Sequence, residues 1–168
     1  MSTDGEGLLA RPAVRRVREA LQQAGLDNRV VALDQTARSA QDAATAIGCA
    51  LGQIVKSLVF RHRERAVLAL VAGDRQGVPA AIAAALGLEG KLARADADFV
   101  KQQTGFSIGG VAPLGHVVPV RVAMDDSLWR FDTVHAAAGH PHCVFPAAPD
   151  ELARLAGAVR ATGIGVEA

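Results

Sequence analysis

TGFSIGGVAPLGH, residues Thr104 to His116, is the stretch on which the reading of this chain turns. It separates a helical pattern from a strand pattern and carries glycine at 105, 109, 110 and 115 with proline at 113. Glycine admits positive φ and close approach to a ligand, while proline fixes one φ and removes a donor. Gly109-Gly110-Val111-Ala112-Pro113 is therefore a shaped backbone that can present free N–H groups toward a bound group, although a tight turn before a strand reads the same way.

Working outward, Asp96 to Gln103 reads as a short helix delivering the chain to this loop. Beyond it, Val118, Val120, Val122 and Met124 alternate with Pro119, Arg121 and Ala123, the period of a half-buried strand. Asp125 to Trp129 turns from a strand end into a short helix, Val134 to Ala137 and Cys143 to Phe145 read as strands around a Gly139-His140-Pro141-His142 turn, and Pro149 to Val159 as a closing helix. Upstream, Gln53 to Phe60 (QIVKSLVF) sets a lysine and a serine in an apolar run that reads as a strand. Burying an ammonium is costly unless it is paired, so Lys56 either keeps its head in water or points into a cleft where an anion binds. Ala66 to Ala72 is nearly all apolar and reads as a central strand. Gly73 to Gly77 is a turn, and Val78 to Leu86 an alanine-rich helix.

Near the start, Val14, Val17, Leu21 and Ala24 form a helical stripe, with Pro12 in its first turn and Gly25 at its end. Arg15, Arg16 and Arg18 then fall on a solvated face or on an RNA contact. Val30 to Leu33 reads as a short strand, and Ser39 with Asp42 as a helix start. Ala40, Ala43, Ala44, Ile47 and Leu51 share the next helical face, broken at Gly48. Arg61, His62, Arg63 and Arg65 around Glu64 make a basic knot that suits either a hairpin tip against phosphates or an ordinary polar turn.

The chain has 168 residues, half of them hydrophobic, no tyrosine, and a formal net charge of +1. One domain spanning residues 1–168 is expected, with residues 1–7 a flexible polar start; a chain of this length can bury roughly 70% of its unfolded surface. Near-neutral charge argues against a general nucleic-acid coat and against DNA as a partner. Cys49 and Cys143, the only cysteines, fit a reducing cytosol, and no membrane-spanning run is present. A soluble cytoplasmic protein is the expectation. The fold class is α/β (α+β): a mixed, largely antiparallel sheet curled toward a barrel, with helices packed outside.

His135, His140, His142 and Cys143 are a candidate zinc cluster, but their spacing completes no closed four-ligand pattern, and polar turn histidines are the default. Ser57 and Ser107 have no adjacent base and no G-x-S-x-G elbow, and Cys49 reads as a small buried hydrophobe.

Taken together, Thr36 to Ala44 (TARSAQDAA), Ile47-Gly48-Cys49, Gln53 to Phe60, Thr104 to Gly115 and Val122-Ala123-Met124-Asp125 resemble the YbaK/EbsC family, which is related to the editing domain of bacterial prolyl-tRNA synthetase. The resemblance implies a free-standing deacylase of misacylated tRNA, most closely tRNA for proline carrying alanine, serine or cysteine. In that family hydrolysis leans on the substrate's own ribose hydroxyl and a water, without metal or cofactor, and cysteine can also leave by thiol cyclisation. Carried over, Lys56 orients the substrate, and Gly109, Gly110 and Pro113 form the loop. Asp125 either supports the site or caps a helix. Ser57, Thr36, Ala37, Ile47, Phe60 and His116, neighbours of the motifs, are candidate walls of the aminoacyl pocket. The implied partners are the acceptor end of misacylated tRNA and a synthetase, prolyl-tRNA synthetase first. A non-catalytic module binding an aminoacyl, nucleotide or tRNA group in the same cleft, and a metal-dependent hydrolase, remain the alternatives.

Overall fold

A computed structural model describes residues 3–26, 29–34 and 37–168. Its centre is a five-stranded mixed sheet. Strands β2 (Val55–His62) and β3 (Arg65–Ala72) form an antiparallel hairpin whose tip is Arg63-Glu64. β6 (Arg121–Asp125) and β9 (Val159–Ala161) continue the sheet in parallel beyond β3, and β5 (Ala93–Arg94) pairs with β2 at Phe60 and Arg61, giving the order β5-β2-β3-β6-β9. β3 is buried from Ala66 to Ala72, as an apolar run in mid-sheet requires. A second sheet joins β1 (Val31–Ala32), β8 (Cys143–Ala147) and β7 (Val134–His140), and a third pairs β4 (Arg75–Gly77) with β10 (Gly165–Glu167).

The expected mixed sheet is present, but it does not curl into a closed barrel. β5 and β9 sit at opposite edges of the central sheet and do not pair with each other. Among the described residues, the second sheet meets the chain just ahead of β2 through one bridge, Ile54 to His135. Between Val55 and Val59, β2 hydrogen-bonds only to β3 among the described residues, which leaves its other edge open.

Helices cover both faces. In α2 (Pro12–Gln23), proline opens the first turn, and Val14, Val17 and Leu21 are buried, each contributing on the order of 1.5–3 kcal/mol. These side chains join Leu68, Leu70, Met124, Phe106 and Phe145 in the main core. Across the sheet, α4 (Pro79–Ala85) lays Ile82 on Val67, Ala69, Ala123 and Ile164. α3 (Ala40–Ile47) starts at Ser39, whose Oγ accepts from Asp42 N at 3.1 Å, and stops at left-handed Gly48. α5 (Ala97–Thr104) and α6 (Pro149–Ala156) complete the described helices, with α1 (Thr3–Leu9) ahead of α2.

Two expectations are corrected here. The strand expected from Val118 begins only at Arg121, and Val122, Ala123 and Met124 are all buried, because α4 and Ile164 cover the face that alternation assigned to solvent. The closing helix ends at Ala156, since Gly157 turns left-handed at φ 61°, and β9 follows where helix was expected.

Candidate active site

The glycine loop is fixed at both ends before it reaches the site. Asp96 caps α5, accepting from Phe99 N at 2.8 Å, and Gly105 ends it at φ 82°. Thr104 is fully buried; its Oγ1 donates to Val100 O at 2.7 Å and accepts from Phe106 N at 3.0 Å. Arg16, offered by its position to solvent or to RNA, instead reaches inward from α2. Its Nη2 donates to Gly105 O at 2.8 Å and its Nε to Gly115 O at 2.9 Å, with the guanidinium 4.7 Å from the centre of the Phe106 ring. One side chain thereby ties the two ends of the loop together.

The middle of the loop is placed by contact between main chains. A Cβ on Gly110 would stand 2.9 Å from both N and Cα of His140, and a Cβ on Gly139 would stand 2.8 Å from the Ala13 carbonyl. Gly109 has φ 93°, a left-handed value that glycine adopts without strain. The N–H of Gly110 donates to Ser107 O at 3.0 Å, whereas that of Gly109 has no acceptor among the described residues. Of the two donors that the Gly-Gly pair promised, Gly109 alone is available.

Beneath this loop lies a cavity of about 240 Å³, bounded by the start of β2, the first turn of α3, β7 and the turn after it. Gly109 and Val111 line it from above, Ser57 from β2, and Ala37, Arg38 and Ser39 from the entrance to α3. His135 and Pro141 close the far side. Ser57 Oγ is buried without a hydrogen-bond partner among the described residues, although buried hydroxyls are ordinarily paired. His135 is half-buried, and burial pushes its imidazole below the usual histidine value, which favours the neutral ring.

Lys56 lies on the same wall, but its ammonium donates to the Arg75 carbonyl. Strand alternation explains this: Val55, Ser57 and Val59 face the main core and the cavity, while Lys56 shares the opposite face with Leu58 and Phe60, which pack under α4. Burial lowers the Lys56 pKa, and the nearby Asp74 charge works against that shift. Asp74 is itself held by Arg130 through two hydrogen bonds of 2.8 and 3.0 Å, which keep its carboxyl below the usual range.

The other expected site residues divide. Ala37 lines the cavity, whereas Ile47 packs behind its wall against the cluster of Ala37, Ala43, Ala44 and Ile54. Phe60 lines an adjoining groove. Pro113 is buried and His116 points away, its Nε2 2.7 Å from Ala112 O and its ring edge-on to Phe106. Asp125, 2% exposed, accepts from Ser127 N at 3.0 Å and from Gly165 N at 2.9 Å, capping the short 3-10 turn Asp126–Arg130 and fastening β10. Thr36 lies outside the described residues. Arg38, Ser39 and Pro141 were not foreseen in the site; His135 was weighed only as a metal ligand. In the hairpin where zinc ligands were considered, the rings of His140 and His142 meet edge to face at 5.3 Å. The fully buried Cys143 thiol is pushed up to about 11, which leaves it protonated and inert.

Comparison with known proteins bears on this arrangement. Residues 34–155, from the approach to α3 through α6, match the model of the aminoacyl-tRNA editing domain. The chain is 31% identical over 144 residues to the uncharacterized protein YwhH of Bacillus subtilis, covering 85% of this chain and 90% of that one. It is 29% identical over 92 residues to a proline–tRNA ligase of Thermoanaerobacter, a match that spans 54% of this chain but 16% of the ligase. A solved structure described as a proposed trans-editing enzyme for prolyl-tRNA synthetase superposes with a TM-score of 0.83 at 40% identity, over 90% of this chain and 96% of that one. The hypothetical protein APE2540 shares the fold, with a TM-score of 0.78 at 24% identity. By sequence and by fold, this chain belongs to the aminoacyl-tRNA editing domain family.

Proposed function

We propose that the protein is a trans-editing hydrolase that deacylates tRNA for proline carrying alanine, serine or cysteine. The observation that carries this reading is the cavity under the glycine loop, lined both by Ser57, whose buried hydroxyl has no partner among the described residues, and by Gly109, whose N–H has none. At about 240 Å³ it falls below the roughly 300–1,000 Å³ of sites for drug-sized ligands and suits an aminoacyl group. Its similarity to a proposed trans-editing enzyme for prolyl-tRNA synthetase supports the choice of tRNA.

In this reading the ester carbonyl oxygen accepts from Gly109 N–H and Ser57 Oγ–H. A water, oriented by the vicinal ribose hydroxyl, adds to the carbonyl carbon, and the developing oxyanion is held by the same two donors. Collapse breaks the bond to the ribose oxygen, which takes the proton released by the water; the products are the free amino acid and uncharged tRNA. No step calls on a metal ion. Lys56, on a flexible stem beside the open edge of β2, turns from the Arg75 carbonyl to the terminal phosphate or ribose and orients the acyl end. Ala37, Ala40 and Val144 surround the amino-acid side chain. Each methylene is worth only about 1–3 kcal/mol of discrimination, so proline is rejected by lack of room rather than by recognition of the smaller group.

The test is single-turnover deacylation of tRNA for proline charged separately with alanine, serine, cysteine and proline, for the wild type and Lys56→Ala. Release of at least one small amino acid faster than proline, weakened in the variant, is expected. Release no faster than without protein for all four would overturn the reading.

A further inference from the structure

Glycine at 105, 109, 110 and 115 makes the loop over the cavity costly to hold in one conformation. Val117 N–H donates to Thr104 O at 3.2 Å and closes its neck, and among the described residues one main-chain bond lies inside it, Gly110 N–H to Ser107 O. The rest of the hold comes from side chains, chiefly Arg16. This residue is half-buried on α2 and forms no ion pair among the described residues; its guanidinium donates to the carbonyls of Gly105 and Gly115 instead. Nε–H and Nη2–H leave a planar guanidinium as a fixed fork. The two ends of the loop are therefore set at a spacing that one rigid group dictates.

The support continues toward the middle of the loop. The Phe106 ring under the guanidinium meets the His116 ring edge to face, with centres 6.0 Å apart, and His116 Nε2 lies 2.7 Å from Ala112 O. Ala112 adjoins Val111, which lines the cavity. His116, expected at the pocket wall, thus braces the loop from behind. A Cβ on Gly105 would overlap the guanidinium, so Gly105 serves the left-handed helix end and the seat of Arg16 together. Lys101 also reaches Gly105 O, at 3.4 Å, but it is exposed and touches one end of the loop alone.

We propose that Arg16 is the positioning residue of the site: it fixes the separation of the loop ends, and through them the aim of Gly109 N–H into the cavity. It does not line the cavity itself, so it acts through the loop and not on a substrate. Its effect on the loop stands on the geometry alone, whereas its effect on the reaction rests on the deacylase reading. In that reading Gly109 N–H meets the developing oxyanion, and a donor moved off its aim weakens the transition state. Ala37, Ala40 and Val144, which surround the acyl group, belong to other parts of the chain. Loss of Arg16 therefore lowers the rate of the bound complex and leaves its formation nearly unchanged.

The test uses the full chain as Arg16→Ala, Arg16→Lys and the control Lys101→Ala. Amide exchange resolved by NMR reads the loop without any substrate. In both Arg16 variants the N–H groups of Phe106, Gly110 and Val117 are expected to exchange about 10-fold faster, with those of β3 at wild-type rates and Lys101→Ala within about 2-fold of wild type throughout. Lysine keeps a charge near Phe106 but lacks the fork, so Arg16→Lys is expected to hold its urea midpoint and still quicken exchange; it carries the test if Arg16→Ala does not fold. In single-turnover deacylation the plateau rate is expected to fall about 30-fold or more in both variants, with the half-saturating protein concentration within about 3-fold of wild type. Ethylguanidinium is expected to restore part of the plateau in Arg16→Ala where ethylammonium does not. Wild-type exchange in both variants, or a plateau in Arg16→Lys that falls only in step with its urea midpoint, would overturn the proposal. Faster loop exchange beside a wild type that releases no amino acid would remove the deacylase reading and keep Arg16 as the residue that positions the loop.

Discussion

Replacing Ser57 by alanine should move stability and activity in opposite directions. A buried hydroxyl with no partner carries a desolvation cost of about 1–3 kcal/mol, which the folded state bears without return. Alanine removes that cost and gives up only one small buried oxygen. Ser57→Ala is therefore expected to be as stable as the wild type or more stable by about 1 kcal/mol, read from urea denaturation as a raised midpoint at unchanged slope. If the hydroxyl is one of two donors to the oxyanion, its loss removes about 2.7–4 kcal/mol of transition-state stabilisation, a fall of about 100-fold or more in single-turnover rate. Here the gain in stability and the loss of rate come from the same missing partner. A variant less stable by more than about 1 kcal/mol would mean that Ser57 has a partner in the folded protein. A rate within about 3-fold of wild type would remove the hydroxyl from the oxyanion site.

Gly110→Ala forces a Cβ to 2.9 Å from the His140 main chain, which cannot rotate away. A loss of about 1–3 kcal/mol in thermal or urea unfolding is expected, with deacylation falling by about 100-fold as the loop shifts; a variant with wild-type stability and rate would show the packing there to be slack. Acid should destabilise the protein well above the carboxylate range. Burial holds His116, His135 and His140 below the ordinary 6.5, so the unfolded chain binds more protons than the folded one. Their contribution is fully present above that value and is lost as pH falls through the lower folded values. The urea midpoint should fall between pH 7 and 5; a flat profile over that window would contradict the burial of these rings.

Much of the scaffold is written locally. Ser39, Asp96 and Gly105 mark helix ends through short side-chain bonds or left-handed turns that need only a few neighbouring residues. The Val14, Val17, Leu21 stripe and the apolar Ala66–Ala72 run follow the helix period and the two-sided burial of a central strand. β4, β9 and β10 were not legible, because three-residue strands have no period and owe their existence to partners far along the chain. Arg16 was misplaced for a related reason: periodicity locates its Cα, not the reach of its side chain to Gly105 and Gly115. In the site, alternation alone puts Ser57 and Lys56 on opposite faces, but which face meets the glycine loop is decided by packing. His135 did have a signal. Val134, Ala136 and Ala138 are the buried members of β7, and His135 falls with Ala137 on the side that lines the cavity.

The stacking of α2, Gly139 and Gly110 sets three main chains in direct succession, with no side chain between them. Side chains at an interface act as compliant spacers, since a change of rotamer absorbs a small shift. Here that compliance is missing, and a displacement of α2 passes undiminished to the ceiling of the cavity. The loop is thus mechanically coupled to α2, and its fluctuations are tied to those of a helix in a close-packed core rather than to those of a free surface segment.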